Sequence, residues 1–260
     1  MSLGSVRSGD GTTIAFERSG EGPPVILVGG AFQDRGSLAP LAAELAPSLT
    51  VYCYDRRGRG GSGDTPPYAV GREVDDLRAL VAEAGGTAAL FGVSSGAILA
   101  LEAAAGAPVT KVAAFEPPYT VDDGRPPQSA ALAGEVAELI HAGRPGDAVE
   151  LFLGKGVGLP PEQIAQMRGM PMWPALEAIA PTLVYDATIT GDGVPPLDRL
   201  AGIAVPVLVV DSTGSAPWLR TSAKAVAETI PGATQRSLEG GFHDVPPPIL
   251  GAALVEFFVG

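Results

Sequence analysis

Residues 87–105 read TAALFGVSSGAILALEAAA, and the order of elements in this stretch sets the architecture. Thr87–Phe91 is a short continuous apolar run, the signature of a strand buried on both faces. Ala97–Ala105 is built mainly from strong helix formers. Between them lies Gly92-Val93-Ser94-Ser95-Gly96, a Gly-x-Ser-x-Gly pattern confined to one tight turn. Such a turn holds Ser94 in a strained conformation, and a Cβ at position 92 or 96 would collide with it. The Ser94 hydroxyl is thereby lifted above the sheet, at the N-terminus of a helix whose dipole favours negative charge. Short Gly-Ser patterns also arise by chance; the strand before and the helix after give this one its meaning.

The same alternation extends in both directions. Thr12–Glu17 alternates after the Gly9-Asp10-Gly11 turn, and Pro24–Val28 is another buried run. Ser37 precedes Leu38, Leu41 and Leu45 at helical spacing, and Pro47 stops that helix. Leu49–Tyr54 reads as a strand. Val70, Val74, Leu77, Val81 and Ala84 form a helical stripe with charged residues opposite, closed by Gly85-Gly86. Lys111–Phe115 is the next strand. This rhythm specifies an α/β fold with a mostly parallel, doubly wound sheet covered by helices on both faces. From Pro117 to Ala204 the rhythm breaks into helical stripes without strands, punctuated by Pro and Gly. It resumes with the strand Val205–Val210, a helix near Trp218–Ile230, a strand near Ala233–Leu238 and a last helix Ile249–Phe258. The expected organisation is a core of residues 1–116 and 205–260 with a helical cap of residues 117–204.

Composition narrows the function. At 260 residues, 46% of them apolar, the chain buries a substantial core. Acidic residues outnumber basic ones 29 to 17, a formal charge of −12. Such a surface repels phosphate backbones and anionic lipid, so neither nucleic acid nor a membrane is expected as a partner. The expected partner is a small-molecule substrate, met by a monomer or a homodimer. The single cysteine, Cys53, allows no intrachain disulfide and reads as a packed strand thiol. No signal-peptide or transmembrane stretch opens the chain, which points to the cytoplasm. Two distant histidines and one cysteine supply no metal site, and no phosphate loop or dinucleotide motif appears, so no cofactor is expected.

A serine hydroxyl is a poor nucleophile until a base takes its proton. Of the two histidines, His141 ends a helix, where a cation at a helix C-terminus suffices to explain it. His243 sits in the flexible Gly240-Gly241-Phe242-His243 loop between the last strand and the last helix, and is the expected base. Asp211, read as following the Val205–Val210 strand, is the favoured acid, placed to fix the imidazole tautomer. Glu116 also ends a strand and competes for that role; Asp244 adjoins His243, which makes the required hydrogen bond awkward. Two backbone N–H groups must face the developing oxyanion. Ser95 should supply one, through its backbone and not its side chain, and Ala31 in the Gly29-Gly30-Ala31-Phe32 loop the other.

With these residues assembled, the chain resembles the α/β-hydrolase superfamily over nearly its whole length, in the capped branch with epoxide hydrolase-like and esterase-like members. Gly92–Gly96 resembles its nucleophile elbow, and the order Ser94, Asp211, His243 matches its order of nucleophile, acid and base. Asp55-Arg56-Arg57-Gly58-Arg59-Gly60-Gly61-Ser62 resembles the family's D-x-R-G-x-G-x-S turn, and Gly29-Gly30 its H-G motif with Gly29 in place of histidine. The resemblance implies a serine hydrolase acting on a small to medium, mainly apolar ester or lactone through an acyl-enzyme on Ser94. A serine at the position where epoxide hydrolases and haloalkane dehalogenases carry aspartate favours acyl chemistry over theirs. A C–C bond hydrolase, a thioesterase, a perhydrolase, or a non-hydrolytic or ligand-binding protein on the same fold remain the alternatives. Phe32, Met170 and Trp173 are the expected pocket residues. The Met and aromatic residues of the cap region, Phe152, Met167 and Met172 among them, also suit plain helix packing.

Overall fold

A computed structural model describes residues 2–121 and 130–260 of the chain. Eight strands form one sheet in the order β1-β2-β4-β3-β5-β6-β7-β8. They are β1 (Ser2–Arg7), β2 (Thr13–Ser19), β3 (Pro24–Val28), β4 (Thr50–Tyr54), β5 (Ala88–Val93), β6 (Val109–Phe115), β7 (Val207–Ser212) and β8 (Thr234–Leu238). β1 and β2 run antiparallel at one edge, and every pairing from β4 to β8 is parallel. β3 to β7 are the apolar runs that a sheet covered on both faces demands.

Two apolar layers sandwich the sheet. On one face, side chains of α2 (Val70–Glu83), α3 (Ser95–Ala104) and α10 (Pro217–Thr229) pack on Ile26, Leu90, Val112, Ala114, Val207 and Val209. On the other, α1 (Ala39–Leu45) and α11 (Pro247–Val259) cover Val25, Leu27, Phe91, Phe115, Leu208 and Val210. Alternation with period two thus divides the apolar residues of β3 to β7 between the two layers. Cys53 lies buried in β4, where desolvation pushes its thiol up to about 12. No helix among the described residues is long and apolar enough to cross a membrane.

Between β6 and β7 the described residues form helices alone: α4 (Leu132–His141), α5 (Pro145–Leu151), α6 (Pro161–Arg168), α7 (Trp173–Ile179), α8 (Leu183–Thr190) and α9 (Leu197–Ala201), with a further turn of helix over Phe152–Val157. Most of them share a third apolar cluster, in which Leu132, Val136, Val149, Phe152, Trp173 and Leu183 pack together and meet Ala31 and Phe32 of the loop after β3. Residues 122–129, which the sequence reading assigns to the start of this insert, lie outside the described residues.

Candidate active site

The carboxyl ends of four strands converge on one cavity. Ser94 follows β5, Glu116 follows β6, the Gly29–Gln33 loop follows β3, and His243 lies in the loop between β8 and α11. In a mostly parallel sheet this is where loops gather around a ligand. The four non-glycine residues with positive φ among the described residues are Phe32 (61°), Ser94 (57°), Glu116 (49°) and His243 (48°). Left-handed backbone costs energy in residues that carry a Cβ. Its concentration at four contributors to one site marks where the fold gives up local stability for geometry.

The elbow is enforced by close approach. A Cβ on Gly92 would lie 2.2 Å from the Gly96 carbonyl oxygen, and one on Gly96 would lie 2.3 Å from that of Val28. Either contact is far inside van der Waals distance, so the two glycines let the Ser94 turn exist. Ser94 N–H donates to the Phe115 carbonyl at 2.9 Å, anchoring the turn to β6. The loop after β3 comes equally near: a Cβ on Gly30 would stand 3.0 Å from that of Ser94. Gly30 N–H donates to Gln33 Oε1 at 2.8 Å, and the Arg59 guanidinium donates to the Gly30 and Gln33 carbonyls at 2.6 and 3.0 Å. Gln33 and Arg59 therefore brace the loop in which Gly29 replaces the histidine of the H-G motif. Ala31 and Ser95, the two expected backbone donors, both line the cavity beside Ser94.

The carboxylate that meets His243 is Glu116, the competitor, and not Asp211, the one favoured in the sequence. His243 Nδ1 lies 2.7 Å from Glu116 Oε2, off the axis of the ring N–H, and His243 backbone N–H donates to the same oxygen at 2.9 Å. The other carboxylate oxygen, Oε1, accepts the Ser212 backbone N–H at 2.9 Å and the Ser215 hydroxyl. Glu116 is fully buried. Desolvation works to raise its carboxyl, but the hydrogen bonds from His243 and Ser215, the His243 charge and the Ser212 N–H outweigh it and hold the group below the usual carboxylate range. Phe242 packs on the imidazole at 4.3 Å between centroids, and Phe115 meets it edge-on at 6.1 Å.

Asp211 does not reach His243, and the reason is strand length. β7 continues through Asp211 to Ser212, so Asp211 is a strand residue and not a loop residue. Period two then turns it toward the layer of Val207 and Val209, on the α10 face. There its carboxylate accepts Ser237 Oγ at 2.8 Å, Gln235 Nε2 at 2.7 Å and Arg220 Nε at 3.3 Å. Glu116, with its positive φ, escapes the alternation of β6 and turns toward the His243 loop. The sequence offered Glu116 as a competitor; what it did not show was that β7 runs two residues beyond Val210.

The cavity has a volume of about 340 Å³ and a mainly apolar wall. Ser94, His243, Gln33 and Thr190 supply polar groups, while Phe32, Val93, Phe152, Leu153, Val157, Leu159, Met167, Trp218 and Phe242 supply much of the remainder. No Lys, Arg, Asp or Glu side chain lines it among the described residues. Of the expected pocket residues, Phe32 is in the wall, in edge contact with Phe152 at 5.7 Å between centroids. Met170 and Trp173 are not. Met170 is 49% exposed, in the turn before α7. Trp173 is buried within the helical insert, its Nε1–H donated to Glu177 Oε1 at 2.9 Å. The insert presents Phe152, Leu153, Gly156, Val157, Leu159 and Met167 to the cavity instead, a registration that residue type alone does not reveal.

Sequence comparison agrees with this geometry: the model of the alpha/beta hydrolase family matches residues 25–247. The chain belongs to the alpha/beta hydrolase family. It is 54% identical to an alpha/beta hydrolase of Sphaerobacter thermophilus whose crystal structure superposes with a TM-score of 0.93, covering 98% of this chain and 100% of that one. The enol-lactonase of Burkholderia xenovorans is similar in fold alone, with 19% identity, a TM-score of 0.73 and coverage of 99% and 100% of the two chains. The same holds for a thermophilic esterase of Thermogutta terrifontis, with 24% identity, a TM-score of 0.76 and coverage of 100% and 97%. The uncharacterised hydrolase YraK of Bacillus subtilis is 35% identical over 96 residues, a stretch that spans 35% of this chain and 35% of YraK.

Within this alpha/beta hydrolase the state of Glu116 has a kinetic consequence. Because the Glu116 carboxyl is held below the usual carboxylate range, it should stay ionised while the pH falls through that range. The logarithm of kcat/KM for a neutral ester should therefore fall toward acid with a slope of one in a pH–rate profile. A slope of two would show Glu116 taking up a proton as well.

Proposed function

We propose that the chain is a serine hydrolase of uncharged, mainly apolar esters or lactones, with Ser94 as nucleophile, His243 as base and Glu116 as acid. The observation that carries this reading is the set of four strained residues around a single apolar cavity, with His243 held on a buried carboxylate and Ser94 on the elbow. His243 takes the Ser94 proton as Oγ attacks the acyl carbon; Glu116 stabilises the imidazolium that results. The tetrahedral oxyanion is received by the N–H groups of Ala31 and Ser95, and α3 adds its positive end. The imidazolium then protonates the leaving alkoxide. Water, activated by the same imidazole, releases the acid from Ser94.

The residues between β6 and β7 act in this reading as a cap that excludes water and sorts substrates. A wall without formal charge offers no counter-ion to a carboxylate or phosphate, and the net negative charge of the chain opposes them further. Neutral acyl groups of modest length suit the space. A series of nitrophenyl esters from acetate to decanoate tests this, together with inactivation by a fluorophosphonate. Turnover that peaks at one chain length and stops on labelling supports the proposal; no turnover of any ester in the series, with no inactivation, removes it.

The wall also predicts a shift in selectivity. Met167→Ala opens the cavity where the insert meets it, and should raise the ratio of kcat/KM for long over short acyl chains by about tenfold, the scale of one methylene in an apolar pocket. Met170→Ala, outside the cavity, should leave that ratio unchanged.

A further inference from the structure

We propose that Asp186, a residue of the helical insert, is a positioning residue for the oxyanion site, and that it acts through the Ser95 side chain and Arg59. The inference rests on the serine-hydrolase reading above and adds a second tier to it. Ser95 Oγ donates to Asp186 Oδ1 at 2.7 Å, so the side chain of this elbow residue, expected from the sequence to be idle, is engaged. Asp186 lies on α8 and is fully buried. Arg56 Nη1 donates to its Oδ1 at 2.7 Å and Arg59 Nη2 to its Oδ2 at 2.5 Å. The same Arg59 holds the Gly30 and Gln33 carbonyls, and Arg56 reaches the Gly29 carbonyl at 3.3 Å.

One carboxylate is thus wired to both segments that carry the expected oxyanion donors, Ser95 directly and the Gly29–Gln33 loop through two guanidiniums. Arg56 is fixed in turn by a bidentate pair with Glu73, at 2.7 and 2.6 Å. The seat of α8 is reinforced by Arg59 Nε donating to Thr182 at 3.1 Å and by Tyr185 stacked on Tyr68 at 4.0 Å between centroids. Desolvation works to raise the Asp186 carboxyl, and the charges of Arg59 and Arg56 outweigh it, so the acceptor that Ser95 meets is an anion. Replacing buried ion networks of this kind by apolar residues often costs no stability; their attested use is to fix one arrangement out of several. Here the arrangement fixed is the spacing of two N–H groups around the Ser94 hydroxyl, and a displacement well below an ångström matters to an oxyanion.

The test uses Ser95→Ala, which keeps the backbone N–H and deletes only the link, with Asp186→Asn as a second variant. For nitrophenyl acetate, too short to depend on the insert's walls, kcat should fall about tenfold in Ser95→Ala, less than the loss of a whole oxyanion donor, with KM within twofold of wild type. Inhibition by phenylboronic acid, whose tetrahedral adduct on Ser94 needs the same donors, should weaken by the same factor. Circular dichroism and Tm should show the variant folded. A Ser95→Ala enzyme with unchanged kcat overturns the inference, as does a loss in kcat with no loss of boronate affinity. Should Asp186→Asn fail to fold, Ser95→Ala decides alone. A wild-type chain inert toward both ester and boronate fails at the earlier step, the serine-hydrolase reading, and takes this inference with it.

Discussion

Ser94→Ala and His243→Ala should each lower kcat for ester hydrolysis by about 10⁴-fold or more, and by nearly the same factor, because nucleophile and base act as one unit. The double variant should be no worse than either single one. Ser94 stands on the elbow with its N–H anchored to Phe115, and His243 faces the same cavity. Alanine at position 94 removes the attacking oxygen and leaves the turn, whose geometry is imposed by Gly92 and Gly96. Alanine at 243 leaves the hydroxyl with nothing to take its proton. Steady-state kinetics on the best nitrophenyl ester, with circular dichroism to show both variants folded, reads the effect. Additive losses would mean that the two residues serve separate steps.

Glu116→Gln should cost about 10⁴-fold in kcat, the scale known for the acid of such triads. The carboxylate accepts donors on both oxygens: Ser212 N–H and the Ser215 hydroxyl on one, His243 N–H on the other, with Nδ1 2.7 Å from that second oxygen. An amide has one oxygen, so its NH₂ must face a pair of donors. Turned toward His243, it forces Nδ1 to accept and places the ring proton on the nitrogen that should take one from Ser94. Turned toward Ser212, it leaves buried donors opposed and loosens the His243 loop. Asp211→Asn should keep kcat within a few-fold of wild type. It exchanges one hydrogen-bonded group for another on the α10 face, among Ser237, Gln235 and Arg220, and its cost should appear in Tm. If Asp211→Asn proved the more damaging of the two for kcat, the acid would return to β7.

That exchange of acids shows what could be read from the chain and what could not. The strand–turn–helix at residues 88–104 was legible because steric need and local pattern agree: an apolar run, two glycines that no other residue replaces, and a helix of small residues. That His243 and not His141 would lie beside Ser94 was legible by elimination, with two histidines and one at a helix end. Which carboxylate would stand beside His243 was not, since it depends on where β7 stops and on the φ of Glu116, and neither leaves a mark on residue type. The pocket assignment failed for a similar reason: α6 carries Met167 into the cavity wall, while Met170 lies half-exposed in the turn between α6 and α7. β1 went unseen because Ser2–Arg7 is a mostly exposed edge strand, whose polar residues carry no apolar alternation. The Ser95–Asp186 bond joins residues 91 positions apart, beyond the reach of any local pattern.

The most direct test of the account is the site of covalent capture. The wild-type chain, treated with a fluorophosphonate, digested and mapped by tandem mass spectrometry, should carry one adduct, on Ser94, at a rate that collapses in His243→Ala and in Glu116→Gln and holds in Asp211→Asn. An adduct on Ser95 or elsewhere, or a labelling rate indifferent to His243 and Glu116, would contradict the assignment of this site.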